Sequence, residues 1–325
     1  MQSIYTPQFN SLTVVVVDDI TLKDSRRCRE VPVRIYYPEE PGLFPIIIFS
    51  HGGGGSKEAF SSLSRFWCSC GYICIHPTHF GCDSSILRTG GFQSIKNYIN
   101  NPQFWHVRPQ DVSFLIDSLG ELKILVPPLE EKMDESRIGI SGHSFGAYIT
   151  MLLAGAMVDT PWERNVTFCD NRPSAFLSFS PQGTGQYGLD KHSWSQIKAP
   201  VLMISGTQDQ GLERQPPLWR LEAFNYMHPG DKYHVLIAGA THFSYGDNVA
   251  IDRVFYRRLM AQNRKLPNTT SSANGLRENR IRNYVRKASI AFWDAYLRQE
   301  NSAKEFLQSD ALDEQSSGEI SVFMK

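Results

Sequence analysis

Cysteine is scarce in this sequence, with six among 325 residues: Cys28, Cys68, Cys70, Cys74, Cys82 and Cys169. A chain of this size can bury a core without disulfides, and so few thiols do not supply a disulfide framework. Cys68-Ser69-Cys70 lacks a zinc-type spacing, so no metal site is expected. Neither sign of charge dominates, because Lys plus Arg and Asp plus Glu each number 33. That balance offers no basic face to nucleic acid and no general attraction to an anionic membrane. Long apolar runs are missing too, so no membrane span is expected. The first residues, Met1 to Pro7, lack the charged-then-apolar pattern of a signal peptide. The expectation is a cytoplasmic protein, although a signal removed earlier would leave the same picture. Two glycosylation sequons, at Asn165 and Asn268, matter only in a secretory chain.

What is present is a core-forming chain, 41% hydrophobic, whose texture changes near Pro45. Before it, Leu12 to Asp18 and Val31 to Tyr37 are β-rich and joined by a polar, Arg-rich segment, which predicts an antiparallel pair. After it, strand and helix alternate. Strands are expected at Ile46–Phe49, Tyr72–Ile75, Arg137–Ser141, Ala175–Ser180, Val201–Ile204 and Tyr233–Ile237. Helices are expected at Ala59–Cys70, Asp111–Leu119, Ala147–Ala154, Leu218–Met227 and Ile281–Leu297. This pattern implies an α/β fold, a mostly parallel sheet with helices on both faces, in one domain over 1–325. Three connections, at about 157–173, 181–200 and 243–278, are longer than such a fold needs. They are expected to form pocket walls. Within the last, the polar stretch Asn268 to Asn274 is expected to be mobile. The tail after Ser309 is short and polar and carries no functional signal.

Gly142-His143-Ser144-Phe145-Gly146 stands between the strand at 137–141 and the helix at 147–154. Strand, sharp turn and helix with a serine at the apex make a nucleophile elbow, where only small residues fit two places either side of the serine. A serine hydroxyl needs a base within hydrogen-bond reach and a third group to orient that base. In an α/β sheet such groups lie at the carboxyl ends of strands. Of the nine histidines, His234 lies inside a strand and His143 inside the elbow. His106, His192 and His228 lie away from a strand end, and His51, His76 and His79 precede the serine. His242 remains, directly after the strand at 233–237. Asp209 follows the strand at 201–204 and is the matching acid.

Two backbone donors are needed for an oxyanion. Phe145 N–H, at the start of the elbow helix, is one. The other is expected from Gly52-Gly53-Gly54-Gly55, with Gly53 preferred and Gly54 as the fallback. The Gly-Lys-Ser/Thr of a P-loop is absent. Aromatic side chains at Trp105, Phe145, Trp194, Phe243 and Tyr245 are candidate pocket walls. The Arg-rich start of the last helix, from Arg277 to Lys287, reads as a solvated face.

Ser50-His51-Gly52, Gly142 to Gly146, Ser205-Gly206-Thr207-Gln208-Asp209 and Gly239-Ala240-Thr241-His242-Phe243 together resemble the α/β-hydrolase serine esterases. So do Arg108-Pro109-Gln110-Asp111-Val112 and Ser180-Pro181-Gln182-Gly183. The group they resemble includes dienelactone-hydrolase-like proteins, platelet-activating-factor acetylhydrolases and cutinase-like polyester hydrolases, and the likeness spans about residues 12 to 300. It implies the α/β-hydrolase fold, the order Ser144, Asp209, His242, and Gly53 as an oxyanion donor. Dienelactone hydrolases proper carry a cysteine where this chain has Ser144. Hormone-sensitive-lipase-like esterases carry Gly-Asp-Ser-Ala-Gly where it has Gly-His-Ser-Phe-Gly.

The implied reaction is cleavage of a small to medium, largely uncharged carboxylic ester through an acyl-enzyme, with no cofactor. An acidic limb near about pH 6 to 7 is expected from a histidine base. The alternatives are a serine peptidase of the prolyl-oligopeptidase kind and a catalytically silent α/β-hydrolase scaffold.

Overall fold

The β-branched run Ile46-Ile47-Ile48 alternates its side chains between two different cores. Ile46 and Ile48 enter one cluster, Ile47 and Phe49 the other. A strand that feeds apolar residues to both faces must be covered on both faces, and that governs the architecture. The computed structural model describes Tyr5, residues 12–246 and residues 272–325. The part of the 243–278 connection that spans 247–271, including most of the stretch expected to be mobile, lies outside the described residues.

The expected opening pair is β1 (Val14–Asp24) and β2 (Arg29–Pro38), antiparallel and longer than its β-rich cores. Then come β3 (Phe44–Ser50), α1 (Ser61–Ser69) and β4 (Ile73–Pro77). Next are α2 (Ser84–Ile99), α3 (Val107–Asp117), α4 (Leu119–Leu125), β5 (Met133–His143) and α5 (Phe145–Leu153). A hairpin of two-residue strands, β6 (Met157–Val158) and β7 (Val166–Thr167), occupies the long connection at 157–173. The remaining strands and α-helices are β8 (Ala175–Phe179), β9 (Val201–Gln208), α6 (Glu222–Tyr226), β10 (Lys232–Thr241), α7 (Ser272–Tyr296), α8 (Asn301–Leu307), α9 (Ala311–Glu314) and β11 (Ile320–Met324).

Among the described residues nine strands form one sheet in the order β1-β2-β4-β3-β5-β8-β9-β10-β11. From β4 to β10 every pairing is parallel. This is the α/β-hydrolase fold, a mostly parallel sheet with an antiparallel N-terminal pair. One face is covered by α3 and α5, through Val112, Leu115, Ile149 and Leu152. The other is covered by α1 and α7, through Leu63, Trp67, Val285 and Trp293. The Trp293 ring packs so close to β5 that a Cβ at Gly139 would lie 2.6 Å from it. Chain order reverses at β3, which lies between β4 and β5. Ligands in open α/β sheets bind outside the carboxyl ends of strands at such a reversal.

Several elements differ from expectation. Ser84–Ile99 is a helix that carries a break at Gly91 (φ 66°, ψ −170°). The Gly90-Gly91 pair weakens its helical signal in the sequence. The expected helix at Leu218–Met227 is divided into a 3₁₀ turn, Pro217–Leu221, and a short α-helix, Glu222–Tyr226. The polar tail ends in β11, which pairs antiparallel with β10 at the sheet edge. Among the described residues no helix is long and apolar enough to cross a membrane.

Candidate active site

β5 runs to His143 and α5 begins at Phe145, so the turn between them is a single residue. Ser144 takes φ 56° and ψ −117°, a backbone conformation that side-chain-bearing residues rarely adopt. Such strain costs about 1–3 kcal/mol and survives only where the surroundings fix it. Here Ser144 N–H donates to the Phe179 carbonyl at 3.0 Å. A Cβ on Gly146 would collide with the Ser50 carbonyl oxygen, and one on Gly142 with the Gly146 carbonyl. The two glycines are therefore required by close backbone approach, which the elbow pattern anticipates.

β9 delivers Asp209 and β10 delivers His242 at their carboxyl ends. His242 Nε2 lies 2.9 Å from Ser144 Oγ, and Nδ1 lies 3.0 Å from Asp209 Oδ1. An ionised carboxylate only accepts, so Nδ1 carries the proton and Nε2 faces the serine with its lone pair. Burial pushes His242 below its ordinary value; Asp209 opposes this and Arg220 adds to it. Asp209 is wholly buried, which works to raise its pKa. Arg220 and His242 outweigh that and hold the carboxyl below the usual carboxylate range.

Sequence reasoning missed the groups that complete this carboxylate. Arg220 Nε lies 2.8 Å from Asp209 Oδ1, the Tyr245 hydroxyl donates to Oδ2 at 3.0 Å, and the Ser180 hydroxyl donates there as well. Arg220 also donates to the carbonyls of Ser180, Pro181 and Gln210, which ties the loops after β8 and β9 together. His143 points away from Ser144 and donates from Nε2 to the His242 carbonyl at 2.8 Å.

The loop after β3 abuts the serine, since a Cβ on Gly52 would lie 3.4 Å from Ser144 Cβ. Gly54 N–H donates to Cys82 and Gly55 N–H to Gly52. Among the described residues no hydrogen bond engages Gly53 N–H, so Gly53 is better placed than the Gly54 fallback. Phe145 is the first residue of α5, where N–H groups have no intrahelical acceptor.

These groups open into a cavity of about 360 Å³ whose walls include Phe60, Leu87, Phe92, Ile95, Leu212 and Phe243. Much of the wall is α2. The connections at 157–173 and 181–200, expected as pocket walls, contribute none of its lining residues. Of the aromatic candidates, Phe145 and Phe243 line it. Trp194 is wholly buried, Trp105 packs edge-on against Tyr148 and Tyr187, and Tyr245 serves Asp209.

A second serine–histidine–aspartate chain lies beneath this loop. Ser50 Oγ is 2.9 Å from His79 Nε2, and His79 Nδ1 is 2.9 Å from Asp111 Oδ2. All three are buried, and Asp111 is further bound by Arg27 and Arg29. Burial lowers His79 to about 4. With no access for a substrate, the arrangement is scaffolding. Among the described residues no group of three or more His, Cys, Asp or Glu is arranged to hold a metal.

The model of the chlorophyllase family matches residues 4–169, about half of the sequence. The chain belongs to the chlorophyllase family. The matched region contains the Gly52–Gly55 loop and Ser144 but ends before Asp209 and His242. The fold is similar to that of a ferulic acid esterase from Streptomyces cinnamoneus, with TM-score 0.62 and 16% identity over 98% of each chain. No protein of curated function matches the sequence. This chlorophyllase-family protein is a carboxylic ester hydrolase, within the α/β-hydrolase esterases that its motifs resemble.

The elbow of this family member gives a direct test. Gly146→Ala is expected to lower the melting temperature by several degrees, since its Cβ overpacks a rigid backbone oxygen at about 1–3 kcal/mol. Gly120→Ala, on the exposed face of α4 with nothing near its Cβ, is the control and should leave stability equal or slightly higher. Equal melting temperatures for the two variants would contradict the close-approach argument.

Proposed function

We propose that this hydrolase is a serine esterase acting on small to medium, largely uncharged esters. Ser144 Oγ attacks the ester carbonyl while His242 Nε2 takes its proton, and Asp209 orients and stabilises the imidazolium. The N–H groups of Gly53 and Phe145 hold the tetrahedral oxyanion, each worth about 10²–10³ in rate. The C–O bond breaks, His242 returns the proton to the departing alcohol, and the acyl group stays on Ser144. A water, deprotonated by His242, then releases the acid. The observation that carries this reading is the hydrogen-bonded run Ser144–His242–Asp209 opening into an apolar cavity.

The cavity volume supports a modest substrate, because it falls near the lower end of the about 300–1,000 Å³ of small-molecule sites. Among the described residues Arg88 is the one permanently charged lining side chain, and it is solvent-exposed. Ferulic esters, the substrate class named for the similar bacterial enzyme, fall within this size range as test compounds.

Hydrolysis of p-nitrophenyl esters from acetate to palmitate is expected to peak at short to medium acyl chains. Ser144→Ala should lower turnover by about 10⁴–10⁶-fold with folding intact. A loss below about tenfold would contradict the nucleophile assignment. A matched p-nitroanilide should be turned over far more slowly, and the reverse preference would favour a peptidase.

The pH profile follows from the buried base. His242 must be neutral to accept the serine proton, and burial lowers its pKa beneath the ordinary 6.5. Activity should therefore persist to lower pH than a free imidazole would allow, with the acidic limb of kcat/KM below 6.5. This sets the limb lower than the sequence alone implies. A limb centred above that value would contradict the lowered pKa.

A further inference from the structure

The Gly52–Gly55 loop is held from below by buried polar groups that the reaction steps above do not use. His79 N–H donates to His51 Nε2 at 3.1 Å, so the His51 proton sits on Nδ1. That N–H donates to the Gly52 carbonyl at 2.7 Å. Arg108, wholly buried on α3, donates to the His51 carbonyl at 2.6 Å and the Cys82 carbonyl at 3.0 Å. It also reaches the Gly52 carbonyl in a longer contact of 3.4 Å. Its guanidinium carbon lies 5.0 Å from the centroid of the Phe145 ring. Among the described residues no carboxylate stands within ion-pair distance of Arg108, and its Nε has no hydrogen-bond partner.

Two features of this arrangement bear on the oxyanion. The Gly52 carbonyl and the Gly53 N–H belong to one peptide unit. A cation drawing electron density onto that oxygen makes the N–H a stronger donor, because hydrogen bonds in a chain polarise one another. The same side chain touches the residue that carries the second donor, so it couples the two halves of the site. A buried cation without a counter-ion is costly to maintain. Here it faces the carbonyl side of the peptide that carries the Gly53 N–H.

We propose that Arg108 is a positioning residue for the oxyanion hole, one that fixes the Gly52–Gly55 loop against Phe145 and polarises the Gly52–Gly53 peptide. This rests on the serine-esterase reading with Gly53 as a donor.

Arg108→Met and Arg108→Lys, assayed beside wild type and Ser144→Ala, test it. The substrate is p-nitrophenyl butyrate. The probes are an aryl trifluoromethyl ketone, whose carbonyl adds a serine hydroxyl to give an oxyanion, and the corresponding neutral alcohol. Arg108→Met should lose about a hundredfold in kcat with KM held within about threefold. Ketone affinity should fall in proportion, while alcohol binding stays unchanged. Arg108→Lys, which keeps the charge but cannot reach all the carbonyls, should lose about tenfold. Should the Met variant fail to fold, the Lys variant carries the test. Unchanged kcat, equal losses in ketone and alcohol binding, or failure of both variants to fold would overturn the proposal. Undiminished activity in Ser144→Ala would instead sink the reading beneath it.

Discussion

The contact between the Ser50 carbonyl and the first turn of α5 is the constraint from which the site is built. It exists because residue 146 has no side chain. With the end of β3 pressed against the start of α5, the Gly52–Gly55 loop and Ser144 must share one small volume. That volume lies at the reversal of strand order around β3, where the carboxyl ends of β3 and β5 open a crevice. A two-residue shift in either strand would separate the loop from the serine. The parallel register of β3 with β5, Ser50 opposite Gly142, is accordingly part of the site.

Around this backbone contact the chain places its buried charges in two separate systems. Asp209 is met by Arg220, Tyr245, Ser180 and His242, so every carboxylate oxygen has donors and the charge is neutralised nearby. Asp111 is met by His79, Arg27 and Arg29, and its carboxyl is held down at about 2 despite burial. Both contain a serine and a histidine at hydrogen-bond distance, and access to the cavity separates them. Ser144 lines the cavity whereas Ser50 is wholly buried.

The two systems also mark what the sequence makes legible. Ser144, Asp209 and His242 could be picked out because each follows a recognisable strand and the strands come in a known order. Arg220 and Arg108 carry no such mark, being arginines on helical turns whose partners lie 11 and 57 residues away, at Asp209 for Arg220 and at His51 for Arg108. Only the tertiary fold brings them together. Two of the three long connections fall outside the cavity wall for a related reason, whereas Phe243 and Gly246 of the third line it. Loop length drew attention to 157–173 and 181–200, while the wall itself is α2, whose Gly90-Gly91 pair weakens the helical pattern. Trp194 and Trp105 show the usual ambiguity of aromatics, which serve core and pocket alike.

The central claim is that the acyl group passes through Ser144. Brief mixing with p-nitrophenyl butyrate, acid quenching, and peptide mass mapping measures this directly. The account predicts a butyryl adduct on the peptide that carries Ser144, appearing with a burst of p-nitrophenol and absent from Ser144→Ala. Turnover accompanied by an adduct on another residue would contradict it.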